Sequence, residues 1–108
     1  MELSAWHRWW KQRGGAHIRK VLMEEWDPIG IAGIPDAADE YDTYVGGVGQ
    51  MLHEGASAED LEEYLVNARE ERMGLGPPSG EREKAAAVHL VEWYRGEMAA
   101  AEREAAST

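Results

Sequence analysis

"IRKVLMEEWDPIGIAGIP", residues 18–35, decides the reading of this chain. Ile18, Val21, Leu22 and Trp26 recur at spacings of three and four, the period of one helix face. Pro28 must then stop the helix, because the residue before a proline is pushed out of the α region. The next stretch, "PIGIAGIP", holds two prolines and two glycines and reads as a compact apolar loop anchored by Ile29, Ile31 and Ile34. Trp26 is expected to be buried on the stripe of Ile18 and Leu22. Asp27 is expected to accept hydrogen bonds from N–H donors of the loop, which have lost their helical partners.

Upstream, Leu3, Trp6, Trp9 and Trp10 fall on one stripe of a short first helix, which Gly14-Gly15 is expected to break or kink. Downstream, Asp36 caps a pattern of Ala37, Ala38, Tyr41, Tyr44, Val45, Val48, Met51 and Leu52, an amphipathic helix. Gly46, Gly47 and Gly49 lie inside it, and each costs about 1 kcal/mol against alanine in helix propensity. Three such residues imply close packing of another helix there, or a bend. Gly55 stands at the C′ position. "SAED" then opens a further helix at Ser57, with Asp60 placed for a capping box, and Leu61, Tyr64, Leu65 and Ala68 form its buried stripe. "GLGPPSGE" is a rigid turn. A last long helix carries Ala87, Leu90, Val91, Tyr94, Met98 and Ala101 at helical spacing. No segment alternates with period two. The fold class is therefore all-α, a single small bundle of four to five helices. Its organisation is one domain over residues 1–108: a Trp-rich basic N-terminal helix (1–15), a core (16–75) and a long C-terminal helix (81–106).

Charge narrows the function. The chain has 108 residues, 21 acids against 11 bases, net charge −10 and no cysteine. Nucleic-acid binding is disfavoured, since phosphates demand a basic footprint. Without cysteine there is no disulfide framework and no thiolate chemistry. No apolar run is long enough to cross a bilayer, and the N-terminus is not a secretory signal, which points to the cytoplasm. The charge is uneven. Residues 1–23 carry five bases and one acid, residues 24–71 fourteen acids and one base, and residues 72–108 five bases and six acids. A basic first helix docked on an acidic middle is the simplest account.

Chemical motifs are sparse. There is no phosphate loop, no nucleophile elbow and no zinc-binding histidine pair. His7, His17, His53 and His89 are scattered and read as separate structural or surface residues. Neither a cofactor nor a metal is expected. The acidic corner around the proline stop offers Glu24, Glu25, Asp27, Asp39, Glu40 and Asp42 as a candidate partner surface, with Glu59, Glu62 and Glu63 as outer acids. First-turn acids are also favoured by the helix dipole, with no ligand needed. The tryptophans of "WHRWWKQR" read as core, with a membrane-surface or partner-binding anchor, or self-association through Trp6, Trp9 and Trp10, as alternatives.

Residues 22–75 resemble a scattered group of small uncharacterised bacterial proteins with an E-W-D-P-[IF]-G core. The matching residues are Glu25, Trp26, Asp27, Pro28, Ile29 and Gly30, then Asp39, Glu40, Tyr41, Asp42 and Tyr44, then Gly55, Ala56 and Ser57, then Met73, Gly74 and Leu75. The resemblance implies a small helical domain, and some of these proteins look like immunity partners of toxins. It brings no catalytic residues. The leading expectation is an acidic protein-binding protein that captures a basic partner, as an immunity or inhibitor protein does. The alternative is a metal-dependent or acid–base enzyme centred on Glu25, Asp27, Asp39 and Asp42.

Overall fold

The computed structural model of the chain describes residues 2–26, 42–72 and 81–106, the side chains of residues 71, 72, 105 and 106 excepted. The described residues form helices, with no strand among them. Helix α1 is a continuous run of four segments: Leu3–Trp9 and Gly15–Val21 wound as α-helix, Trp10–Gly14 and Leu22–Trp26 as π-helix. Helix α2 is Asp42–His53. Helix α3 is Ala58–Asn67, continued by a π-turn over Ala68–Arg72. Helix α4 is Glu81–Ala106.

The glycine pair does not break α1. Gly14 (φ −61°, ψ −52°) and Gly15 (φ −61°, ψ −42°) are both right-handed helical. The π-turns account for what the residue spacing requires. Trp6, Trp10, Gly14, Ile18, Leu22 and Trp26 repeat every four residues, which an ideal α-helix at 3.6 residues per turn would wind steadily around its axis. Each π-turn takes in one extra residue without advancing the turn. Two extra residues among twenty leave eighteen, which is five α-turns, so the stripe stays on one face. Gly14 is buried, and a Cβ there would lie 2.6 Å from the Trp9 ring.

The core is formed by Ile18, Leu22 and Trp26 of α1, Val45, Val48 and Leu52 of α2, Leu61 and Leu65 of α3, and Ala86, Ala87, Leu90 and Val91 of α4. Trp26 is fully buried, as its place on the stripe required. Helix α1 packs on α2 and α4, and α3 packs on α4. Leu3 is a correction: it is 58% exposed and stands off the buried stripe. Trp6 and Trp9, in contrast, are buried.

Local chain geometry follows its residue types closely. Gly55 has φ +87°, which favours glycine, while Ala56 N–H donates to the Met51 carbonyl and Gly55 N–H to that of Leu52. Ser57 accepts from Asp60 N–H and Asp60 accepts from Ser57 N–H, a complete capping box. The anticipated loop anchors Ile29, Ile31 and Ile34, the hydrogen bonds of Asp27 and the helix start at residues 36–41 lie outside the described residues.

Two of the three interior glycines of α2 are explained by packing. A Cβ on Gly49 would collide with the Trp10 ring, and one on Gly47 with the Tyr64 hydroxyl. Aromatic side chains, rather than another helix backbone, occupy the space the glycines leave. Gly46 has no atom within 4 Å of where its Cβ would be.

Candidate functional site

Of the acidic residues singled out by the sequence as a candidate partner surface, Glu24, Glu25 and Asp42 are among the described residues. Glu24 is exposed on the last turn of α1. Its neighbour Glu25 contacts α4, its Oε2 lying 2.7 Å from His89 Nδ1. Asp42, the first residue of α2, accepts from Arg19 Nε at 2.8 Å. That pair is part of the expected docking of the basic first helix on the acidic middle. Arg13 and Glu97 form another tie of the first helix, at 2.9 Å. Asp27, Asp39 and Glu40 lie outside the described residues.

The histidines need a second correction. His17 and His89 are not separate: their rings meet edge to face with centroids 5.6 Å apart. His17 also stacks on Trp93, centroids 4.2 Å apart and planes 19° from parallel. His17 Nε2 is buried with no hydrogen-bond partner. Burial lowers the His17 pKa, and the neighbouring His89 and Lys20 act in the same direction against Glu97 and Glu25. The cluster of Glu25, His89, His17 and Trp93 thus joins the C-terminal half of α1 to α4. No group of three or more His, Asp or Glu among the described residues is arranged to hold a metal ion. The chain spacing of His17 and His89 carried no signal for this pairing, because the antiparallel course of α1 and α4 creates it.

The tryptophan-rich start folds inward. Trp6 Nε1 donates to the Tyr94 hydroxyl at 2.9 Å, and Trp9 Nε1 donates to Glu97 Oε1 at 3.3 Å. Burial raises the Tyr94 pKa, and the bond from Trp6 opposes that shift. Trp6 stacks on Trp10 with planes 12° apart, and Trp9 on Trp93 at 29°. Large aromatic bodies are buried here while their polar edges keep partners.

A third feature was only partly legible in the sequence. Between the C-terminal end of α2 and helix α3 lies an open groove of about 520 Å³. Glu54, Asp60 and Glu63 line it with Met51 and Tyr64, and with Asn67 and the turn residues Gly55 and Ala56. No base is among its described lining residues. Asp60 also closes the capping box, and Glu54 accepts from Gln50 Nε2 at 3.2 Å. Glu63, named among the outer acids, is exposed. Its place in a groove depends on the turn at Gly55, which brings α3 back beside α2.

One more carboxylate is set apart by burial. Glu83, in the first turn of α4, is 1% exposed, with Oε1 3.4 Å from Arg69 Nη1. Glu83 Oε2 and Arg69 Nε are buried without hydrogen-bond partners. The pair ties α3 to α4 inside the bundle.

Set against family models, curated proteins and solved structures, the chain matches none of them. No helix among the described residues is long and apolar enough to cross a membrane.

Proposed function

We propose that the protein is a cytoplasmic interaction protein that captures a partner with a basic surface, in the manner of an immunity or inhibitor protein, and that the groove between α2 and α3 receives it. One observation carries this reading. Glu54, Asp60 and Glu63 line a groove with Met51 and Tyr64, with no base among its described lining residues. An apolar centre inside a charged rim is the ordinary anatomy of a protein interface. The acids of the first-chosen surface are a weaker basis, since Glu25 and Asp42 already have intramolecular partners in His89 and Arg19. Glu24 is exposed. Asp27, Asp39 and Glu40 belong to the same proposal by sequence alone. Such charge acts chiefly on the rate of encounter and the choice of partner.

The test is affinity capture with the full chain, followed by association kinetics with the purified partner. The captured protein is expected to present a basic surface. Glu54→Lys combined with Glu63→Lys should slow association at least tenfold at low salt, and Glu92→Lys on α4 should change it little. A partner without a basic surface, or an association rate indifferent to the double reversal, overturns the reading.

A further inference from the structure

Helix α1 enters the core with Ile18, Val21, Leu22 and Trp26, whereas residues 3–14 add only the half-buried Trp10 at its edge. That first segment is tied to the bundle in another way. Trp6 Nε1 donates to the Tyr94 hydroxyl, Trp9 Nε1 donates to Glu97 Oε1, and Arg13 Nη2 pairs with the same oxygen. Tyr94 and Glu97 stand three residues apart in α4, so neighbouring positions on one helix receive all three ties. The Trp9 ring stacks on Trp93, the residue before Tyr94. Toward α2 the segment has the Trp6 ring against His53 and the Trp10 ring in the space left by Gly49. Beside these contacts runs an open groove of about 320 Å³, lined on this side by Leu3, Trp6, His7 and Trp10.

Gly14 and Gly15 stand where one kind of attachment gives way to the other, just ahead of Ile18. A glycine is required at 14 while the segment is docked, because a Cβ there would press on the Trp9 ring. Glycine also has the widest choice of backbone angles, and hinges commonly fall on such residues.

Two consequences follow for the energetics. Trp6 and Trp9 are buried, so the docked state is the major one. Undocking the segment nevertheless leaves Ile18, Leu22 and Trp26 packed on Val48, Leu61, Leu65 and Leu90, and so costs less than unfolding the whole chain. Residues 3–13 are also fewer than the roughly 12–15 that hold a helix unaided in water, so their helical hydrogen bonds open once they are released.

We infer that residues 3–13 are a strap closed over Trp93, Tyr94 and Glu97 of α4, which releases as a unit at Gly14–Gly15 while the core stays folded. Release bares the rings of Trp93 and Tyr94 and the Glu97 carboxylate, which the closed strap covers. The strap is independent of the acidic groove between α2 and α3.

The test is native-state amide hydrogen exchange on the full chain, with urea added below the unfolding transition. Amides of residues 8–13 should be at least tenfold less protected than those of Leu22, Val48 and Leu90, with a step in protection at Gly14–Gly15. Their exchange should respond weakly to urea, because release exposes little surface. Leu65→Val weakens the core alone, so it should speed exchange of the core amides severalfold and leave residues 8–13 unchanged. Tyr94→Phe combined with Glu97→Gln removes the ties and should speed residues 8–13 at least tenfold. Equal protection from residue 8 to residue 22, an even gradient without a step, or a urea dependence in the strap equal to that of the core would each overturn the inference. So would strap amides that follow Leu65→Val, or that ignore the loss of the ties. The first three outcomes are read on the parent chain, so the inference stays testable if a variant fails to fold.

Discussion

The two halves of helix α1 are held in different ways. In the C-terminal half, Ile18, Leu22 and Trp26 are fully buried in a core shared with Val48, Leu61, Leu65 and Leu90. In the N-terminal half, tryptophans replace the aliphatic residues, two of them hydrogen-bonded at the indole nitrogen, and Leu3 stands exposed beside an open groove. The first arrangement depends on area removed from water, which is non-directional and tolerates no void. The second depends on a few directional contacts between large rings, which can hold their geometry while one side stays open. One helix thus carries a closed aliphatic end and an aromatic end with one open side.

The comparison is broken most severely at the dry end. Leu22→Ala should cost about 4 kcal/mol, by lost transfer energy and the cavity left behind, read as a lowered urea midpoint at unchanged slope. A loss under about 1 kcal/mol would show that the core can collapse there and that the two halves are less different than described.

Ion pairs give the next largest contrast. Arg69→Met leaves the buried Glu83 carboxylate without its counter-charge and should cost about 3 kcal/mol, with much of it regained when Glu83→Gln is added. Arg13→Met removes the partner of Glu97 at the aromatic end, where the Arg13 side chain is 67% exposed, and should cost less than about 1 kcal/mol. Equal losses in urea unfolding would remove the distinction.

The glycines of α2 sharpen the comparison within a single helix. Gly49→Ala must displace the Trp10 ring and should destabilise by about 1–2 kcal/mol, the overpacking cost less the propensity gained. Gly46→Ala meets nothing and should stabilise by about 0.5–1 kcal/mol. Thermal unfolding of both variants should therefore move in opposite directions.

The smallest effect is expected from His17, where the two halves of α1 meet. Its folded pKa is lowered, first by burial and then by His89. At pH values above about 6.5, the ordinary value for histidine, His17 is neutral whether folded or unfolded and its contribution is fully present. As pH falls below that value the unfolded chain takes up the proton first, so stability falls until the folded residue is protonated as well. The charged groups facing it are Lys20 and Glu25 from α1 and His89 and Glu97 from α4. His17→Phe preserves a ring on Trp93, and its urea midpoint should fall less between pH 7.5 and 5.5 than that of the parent chain. Identical slopes would place the titration elsewhere.

The candidate sites were legible to different degrees. Glu63 could be named as an outer acid from charge alone, but Met51 and Tyr64 beneath it could not be joined to it. The roles of Gly47 and Gly49 were half legible, since glycine in a helix signals close approach but not the identity of what approaches. Gly46 looked the same in the sequence and proved different. His17 and His89 gave no sign of meeting.

The sequence by itself determined the helices, the Schellman turn at Gly55, the reciprocal cap of Ser57 and Asp60, and the burial of Trp26. These features are set within a few residues, by hydrogen bonds over short spans and by the period of apolar side chains. Tertiary structure decided that Gly14 and Gly15 would continue the helix, that two π-turns would hold a four-residue repeat on one face, and that His89 would meet both Glu25 and His17. Each depends on a neighbouring element. The stripe of α1 must stay on one face because α2 and α4 lie along it, and burying that stripe supplies the free energy that bends its local winding.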